Sequence, residues 1–254
     1  MSSFCVVVPA RFASTRLPGK PLARIAGRPM IAHVASRVAQ SGAAEIIVAT
    51  DDARVLEAAA SMDVRTVMTC ADHVSGSDRV MEVAETCGWS DDHVVVNVQG
   101  DEPLIPPEVI DQVAELLRAS TGVGVATLSE PLEAPADILD ENIVKVVAAR
   151  SGRALYFSRA PIPHARGGLP ASVSGFDPGW QRHVGIYAYR VAALRRFVSL
   201  PVGRLERTES LEQLRFLEND IDIVVEQARV PVPGSVDTPA DLERVRQVLA
   251  RRRV

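Results

Sequence analysis

The chain has 254 residues, of which 47% are hydrophobic and 24% charged, the balance of an ordinary globular protein. Its formal net charge is −4, whereas a general nucleic-acid binder carries an excess of lysine and arginine to neutralise phosphate, so we expect no nucleic-acid partner. The three cysteines form no Cys-x-x-Cys pair, which argues against a disulfide framework and against a zinc ribbon.

The chain has no uncharged apolar run of about 18 residues, the length that a membrane helix needs, so we expect no membrane partner. The first residues lack the basic segment and the long apolar stretch of a signal peptide, and Arg11 interrupts the apolar run that begins at Phe4. These features predict a cytoplasmic protein.

Strands and helices alternate through the first half of the chain. Hydrophobic periodicity predicts strands at 4–8, 45–49, 64–68 and 94–98, and helices at 29–40, 53–61, 78–87 and 107–119. Apolar strands separated by helices are typical of right-handed βαβ units, in which helices cover both faces of a mostly parallel sheet. The fold class is therefore predicted to be α/β.

The second half is less regular. It predicts strands at 122–128, 143–148, 153–157, 183–189 and 222–226, helices at 191–199, 208–218 and 239–251, and a long loop over 160–180, where glycine, proline and serine are dense. We interpret residues 1–254 as one domain. Residues 1–129 and 221–254 would form its nucleotide-binding core, and residues 130–220 a smaller lobe.

In open α/β sheets ligands bind beyond the carboxyl ends of the strands, which here selects the loops after the four N-terminal strands. The loop after the first strand carries three cations, Arg11, Arg16 and Lys20. Arginine offers forked donors to phosphate oxygens and lysine a point charge, so three such cations suit a nucleoside triphosphate. A solvated loop with scattered charge is the alternative.

The loop after the fourth strand, Gln99-Gly100-Asp101-Glu102-Pro103, places a carboxylate at the same edge of the sheet. Mg²⁺ prefers one or two carboxylates together with substrate phosphates and water, and Asp101 fits that preference unless it only caps a turn. Neither G-x-x-x-x-G-K-[ST] nor G-x-G-x-x-G occurs, which disfavours a P-loop protein and a dinucleotide-dependent oxidoreductase. The two loops together favour phosphoryl or nucleotidyl transfer.

Several motifs, in one order along almost the whole chain, resemble those of the 3-deoxy-manno-octulosonate (Kdo) cytidylyltransferase family, also called CMP-Kdo synthetases. They are Pro9-Ala10-Arg11 with Ser14, Arg16 and Pro18-Gly19-Lys20-Pro21-Leu22; Ala71-Asp72-His73, Ser75-Gly76 and Asp78-Arg79; Val98-Gln99-Gly100-Asp101-Glu102-Pro103; Tyr156-Phe157-Ser158-Arg159; His183-Val184-Gly185-Ile186-Tyr187; Glu209-Ser210-Leu211-Glu212-Gln213-Leu214-Arg215; and Val236-Asp237-Thr238-Pro239.

This resemblance implies a Rossmann-like nucleotidyltransferase fold, a homodimer, and sugar binding and dimerisation through the 130–220 lobe. It implies that CTP and Kdo are the substrates, that Mg²⁺ is the cofactor, and that CMP is transferred to Kdo with release of pyrophosphate for lipopolysaccharide biosynthesis.

The resemblance also implies a role for each matched side chain. Arg11, Arg16, Lys20 and Asp101 would be catalytic, and Asp101 and Asp237 would hold the metal. The nucleotide site would comprise Ala10, Arg11, Arg16, Lys20, Ser75, Gly76, Asp78, Arg79 and Gln99. The sugar site would comprise Arg159, His183, Tyr187, Glu212 and Gln213.

Plain structural interpretations stay open for several of these residues. Asp237 precedes a predicted helix and would serve as its N-cap, His183 and Tyr187 alternate on a strand and would simply pack, and Glu212 and Gln213 would form a solvated helix face. For the whole chain, the alternatives are another sugar nucleotidyltransferase, such as an acylneuraminate cytidylyltransferase or a sugar-1-phosphate enzyme, and a non-catalytic nucleotide-binding regulator.

Overall fold

The protein is described by a computed structural model over residues 3–13, 16–60, 62, 64–169 and 179–251. Ser14, quoted above in the first motif, and residues 170–178 of the predicted long loop lie outside the described residues.

The strands are β1 (Phe4–Pro9), β2 (Arg24–Ile25), β3 (Arg28–Pro29), β4 (Glu45–Thr50), β5 (Arg65–Met68), β6 (Val94–Asn97), β7 (Val125–Pro131), β8 (Lys145–Ala148), β9 (Ala154–Ser158), β10 (Gln181–Arg190) and β11 (Ile223–Gln227). The helices are α1 (Met30–Val38), α2 (Ala53–Ala60), α3 (Gly76–Thr86), α4 (Pro107–Ala119), α5 (Pro135–Leu139), α6 (Val191–Ser199), α7 (Arg204–Glu209), α8 (Leu214–Glu218) and α9 (Pro239–Arg251), and Lys20–Leu22 forms one 3-10 turn.

One nine-stranded sheet organises the chain. Its main path runs β11-β7-β10-β6-β1-β4-β5, with the β8–β9 pair attached to β10. The pairs β1–β4, β1–β6, β4–β5 and β7–β11 are parallel, whereas β10 is antiparallel to both of its neighbours on the path. The predicted α/β class with a mostly parallel central sheet is confirmed.

Strand β1 shows why the sheet is central. All six of its residues are buried, as expected of a parallel strand covered on both faces. Because side chains alternate along a strand, Val6 and Val8 pack into one hydrophobic layer, with α1 and α4, and Val7 packs into the other, with α3 and α6. Two cores thus enclose one sheet.

The predicted helix at 208–218 is wrong as a single element. The chain forms α7 and α8 instead, because Ser210 takes a left-handed conformation with φ 52° that ends the first helix. The short helix α5 and the β2–β3 hairpin were not predicted, since five and two residues are too few to show a period.

The division into a core and a 130–220 lobe stays a prediction, but the sheet extends across the boundary between them. β10 belongs to the stretch assigned to the lobe and pairs with β6 of the predicted core.

Among the described residues, no helix combines the length and the apolar character that a membrane crossing requires. All three cysteines are free; Cys5 is buried and Cys70 is exposed.

Candidate functional site

A cleft of about 730 Å³ opens at the carboxyl ends of β1 and β6. This is the edge of the sheet that the strand order of an α/β fold selects for ligands. Most of the predicted site residues line it, namely Ala10, Arg11, Arg16, Lys20, Ser75, Gly76, Arg79, Gln99, Asp101, His183, Tyr187, Glu212, Gln213 and Asp237. Asp78 and Arg159 do not line it.

Lys20 joins two carboxylates that are far apart in sequence. Its Nζ lies 2.6 Å from Oδ2 of Asp101 and 3.2 Å from Oδ1 of Asp237, and Arg16 Nη2 lies 3.1 Å from the same Asp237 oxygen. We call this group, with Arg11 beside it in the cleft, the charged wall. The structure therefore brings together the cations predicted to bind phosphates and the carboxylates predicted to hold a metal.

Asp237 is available to the cleft because the neighbouring Thr238 caps α9. The amide of Asp241 donates to Thr238 Oγ1 at 3.2 Å, and Asp241 Oδ2 accepts from the Thr238 amide at 2.9 Å, so these two residues close the first turn. The alternative that Asp237 is the N-cap is wrong. Although burial opposes ionisation, Lys20 and Ser235 lower the pKa of the Asp237 carboxyl, which keeps it an anion.

The donor set fits Mg²⁺. One cation, the Lys20 ammonium, already lies within hydrogen-bonding distance of both Asp101 and Asp237, so the two carboxylates are close enough together for one divalent ion to attract both. Hard oxygen ligands in this number leave positions for phosphate and water, which is how Mg²⁺ is usually held.

The loops after β1 and β6 lie in close contact, and a glycine makes this possible. A Cβ at Gly100 would lie 2.8 Å from the carbonyl oxygen of Pro9, closer than a real side chain comes. The glycine thus allows the loop with Asp101 to lie against the start of the cation-bearing loop.

The N-terminus of α3 borders the cleft through Ser75 and Gly76. Ser75 Oγ accepts from the Asp78 amide at 3.2 Å and Asp78 Oδ2 accepts from the Ser75 amide at 3.0 Å, a capping box that uses the Asp78 carboxylate. Asp78 therefore supports the nucleotide side of the cleft instead of lining it. Arg79 is nearly buried and donates to Asp51 Oδ2 at 2.8 Å and to Thr69.

A second group of residues lines the cleft with fewer charged side chains than the charged wall. We call it the polar wall; it comprises residues 142–144, His183, Tyr187 and residues 211–213. The His183 ring lies 5.3 Å from the Tyr187 ring, and the His183 amide donates to the Val144 carbonyl at 2.7 Å. Glu212 accepts a hydrogen bond from Ser77, and Gln213 is buried. The solvated-face alternative for Glu212 and Gln213 is therefore wrong.

Burial keeps His183 and Tyr187 of the polar wall uncharged near neutral pH. It lowers the pKa of His183 to about 3, with the charge of Arg182 acting in the same direction. Burial also raises the pKa of Glu212 and raises that of Tyr187 well above 10. Such groups suit a polyhydroxylated ligand, because neutral imidazole, phenol and amide groups both donate and accept hydrogen bonds.

Arg159 is directed away from the cleft. Its Nε donates to the Glu209 carbonyl at 2.8 Å, its Nη1 to the Glu141 carbonyl at 2.9 Å, and its Nη2 to the Ser210 carbonyl at 3.4 Å. All three guanidinium nitrogens are committed to backbone, so this conformation does not bring Arg159 to a sugar acid.

Three cleft residues have buried polar atoms without a hydrogen-bond partner among the described residues: Asn97 Oδ1, Glu102 Oε2 and Tyr187 Oη. Buried polar groups are normally paired, so their convergence on one cleft indicates that a ligand or water completes them. Burial, together with the Asp101 charge, raises the pKa of Glu102 to about 8.

Sequence reasoning missed Asn97, Glu102 and also Arg182. Asn97 gave a signal, because it is a polar residue that ends the buried run Val94-Val95-Val96. Arg182 gave none: it reaches the cleft from β10 and donates through Nε to Glu130 Oε2 at 2.7 Å. Its place depends on a pairing between strands that are distant in sequence.

The fold and the cleft together define a nucleotide-dependent transferase of the α/β class, with a cation-bearing edge suited to phosphate beside an edge suited to hydroxyl groups. The family model described as Cytidylyltransferase matches residues 5–223. The 3-deoxy-manno-octulosonate cytidylyltransferases of Cellvibrio japonicus and Alcanivorax borkumensis are 56% and 53% identical to the chain, over 97% of it and 98% of each relative. The chain belongs to the 3-deoxy-manno-octulosonate cytidylyltransferase family.

Solved structures agree with this assignment. A CMP:2-keto-3-deoxy-manno-octonic acid synthetase solved in complex with CTP superposes with a TM-score of 0.90 at 41% identity, covering 99% of this chain and 100% of the other. A nucleotidyl transferase from Methanothermobacter thermautotrophicus, at 20% identity and a TM-score of 0.64 over 98% of this chain and 99% of its own, shares the fold.

Proposed function

We propose that this protein activates Kdo by transferring CMP to it from CTP, with release of pyrophosphate. The observation that carries the proposal is the charged wall: Arg16 and Lys20 meet Asp101 and Asp237 beside the polar wall. Full-length identity above 50% to relatives named for this reaction supports the same substrates.

The reaction is an in-line displacement at the α-phosphorus of CTP. The anomeric hydroxyl oxygen of Kdo forms the new bond to phosphorus, the bond from phosphorus to the bridging oxygen breaks, and pyrophosphate leaves with the electron pair. The hydroxyl proton passes to solvent, since the imidazole of His183, the histidine in the polar wall, has a pKa of about 3 and is a weak base.

Each wall has its own task in this displacement. Arg11, Arg16 and Lys20 bind the β- and γ-phosphates and stabilise the charge that develops on pyrophosphate. Asp101 and Asp237 would hold Mg²⁺, which when bound neutralises phosphate charge and lowers the barrier to attack. Lys20 then exchanges its carboxylate partners for phosphate oxygens.

The polar wall orients the sugar acid. Gln213 offers an amide, His183 and Tyr187 offer neutral donors and acceptors, and Glu212 is positioned by Ser77. Correct orientation of a bound nucleophile contributes to rate because it removes the entropy cost of bringing two reactants together.

Pyrophosphate release from each pairing of a nucleoside triphosphate with a sugar acid, with and without Mg²⁺, tests the proposal. We expect release with CTP and Kdo only when Mg²⁺ is present. Release with an acylneuraminate in place of Kdo would reassign the sugar, and CTP binding without turnover on any sugar acid would favour the nucleotide-binding regulator.

We also propose, from the resemblance, a homodimer and a cytoplasmic location for this reaction. The product would then be available there to lipopolysaccharide assembly.

A further inference from the structure

Lys145 is a fully buried lysine that has no carboxylate in its hydrogen-bonding shell. Its ammonium donates to three backbone carbonyls, at 2.8 Å to Asp140, 2.5 Å to Ile143 and 2.6 Å to Arg159. An ammonium has three donors, so all of them are used on backbone. Burial lowers the pKa of Lys145.

Arg159 continues the same network. While its carbonyl accepts from Lys145, its guanidinium donates to the carbonyls of Glu141, Glu209 and Ser210, and its amide donates to Glu209 Oε2 at 3.0 Å. The two cations together bind six carbonyls, which belong to the segments 140–143 and 209–210 and to Arg159 itself.

Both segments continue directly into the polar wall. The stretch 142–144 follows the bound carbonyls of residues 140 and 141 and includes that of Ile143. The stretch 211–213 follows the bound carbonyls of Glu209 and Ser210. Neither segment belongs to a strand, and the 211–213 stretch lies between α7 and α8, so sheet pairing does not supply partners for these carbonyls. The cations supply them, and the Asp140 carbonyl also accepts from the Ile143 amide at 3.2 Å.

We propose that Lys145 and Arg159 act as positioning residues that set the affinity for the sugar acid through the backbone, without touching it. We call this pair the carbonyl clamp. The inference rests on the proposed function, because it assigns the polar wall to Kdo. It also explains why the structure directs Arg159 away from the cleft.

The clamp should affect one substrate more than the other. The charged wall is held by different contacts, among them the approach of Gly100 to Pro9 and the Lys20 ion pairs, and it takes none of its residues from 140–144 or 209–213. Loosening the clamp therefore displaces the Kdo side of the cleft and leaves the charged wall in place.

Kinetics of Arg159→Met and Lys145→Gln test this. We expect the KM for Kdo to rise about tenfold in each, because small displacements of a binding wall are costly, with the KM for CTP within about twofold of wild type. Arg190→Gln is the matched control: its Nε also donates to a loop carbonyl, that of Val123, at the far end of β10. We expect the control to leave both KM values unchanged.

Amide hydrogen exchange distinguishes a positioning role of the carbonyl clamp from direct contact between Arg159 and the sugar. If Lys145→Gln does not fold, the comparison of Arg159→Met with wild type is sufficient. Faster exchange confined to 140–144 and 209–213 supports the clamp. A raised KM for Kdo with exchange as in wild type would overturn it, because Arg159 would then touch the sugar itself. Unchanged KM values for Kdo in both variants would also overturn it. A wild-type enzyme that is inactive on Kdo contradicts the proposed function, and the exchange result still decides the clamp.

Discussion

Lys20 illustrates how one side chain holds two carboxylates from distant parts of the chain together in one site. Its ammonium satisfies Asp101 and Asp237, whose mutual repulsion would otherwise oppose their approach. Since Lys20 and Asp101 are largely shielded from solvent, with 14% and 25% of their side-chain surface exposed, the attraction is screened less than at an open surface. The same shielding would strengthen the binding of the proposed magnesium triphosphate.

We expect Asp101→Asn to keep the fold and to lower the rate of pyrophosphate release at least about tenfold, because an amide cannot neutralise a metal ion and each 1.4 kcal/mol of barrier is a factor of ten. Initial rates with CTP and Kdo measure the effect. Asp111→Asn is the control, since Asp111 accepts from the Gly42 amide at 2.7 Å outside the cleft. Near wild-type turnover in the Asp101 variant would reject the metal assignment.

His183 makes stability depend on pH. Its folded pKa of about 3 lies below the usual 6.5, so the unfolded chain takes up a proton first as pH falls, and stability is lost progressively from pH 6.5 towards pH 3. His183→Gln removes this contribution. Between pH 7 and pH 4.5 we expect wild type to lose about 2–3 kcal/mol more unfolding free energy than the variant, measured by urea denaturation. An equal loss in both proteins would contradict the neutral, desolvated state of His183.

At the scale of elements, the cleft depends on two loops that lie so close together that a side chain between them would not fit. β1 and β6 are parallel neighbours, so their following loops leave the sheet side by side, and only Gly100 permits the contact with Pro9. The geometry of the loop that carries Asp101 is thus coupled to that of the loop that carries Arg11, Arg16 and Lys20.

Gly100→Ala should therefore destabilise the protein by about 1–3 kcal/mol, because the added methyl meets backbone that cannot rotate away. Thermal or urea unfolding measures this. Gly185→Ala is the control, since a Cβ there has no atom of the described structure within 4 Å. Equal stability of the two variants would show that the loops are free to separate.

At the scale of the whole molecule, the nucleotide site combines segments from both ends of the chain, from Arg11 to Asp237. A ligand that bridges them binds the folded state only, so it stabilises the entire fold. CTP at a hundredfold excess over its Kd should add about 2.7 kcal/mol to the unfolding free energy. We expect the thermal midpoint to rise with CTP and Mg²⁺ and to rise less when EDTA is present. The same midpoint with and without EDTA would argue against a metal in the nucleotide complex.

The proposed homodimer also belongs to this scale. Light scattering after size exclusion should give twice the chain mass of 27.3 kDa. A measured mass equal to that of one chain at every working concentration would contradict the homodimer.

Much of this protein was determined by its sequence alone. The alternation of apolar strands and amphipathic helices predicted the α/β class, because burial on both faces of a parallel sheet requires continuous apolar strands. The sequence also predicted the chemistry of the charged wall, since cations follow one such strand directly and a carboxylate follows another. The motifs then indicated the family.

Only the tertiary structure decided the rest. It placed β10 antiparallel between β6 and β7, which brought Arg182 and His183 to the cleft, and no local periodicity encodes that neighbour choice. It turned the Arg159 guanidinium onto backbone carbonyls and brought Asp237 to Lys20. Hydrogen bonds between segments that are distant in sequence depend on how the chain packs, and they are settled only when the loops meet in three dimensions.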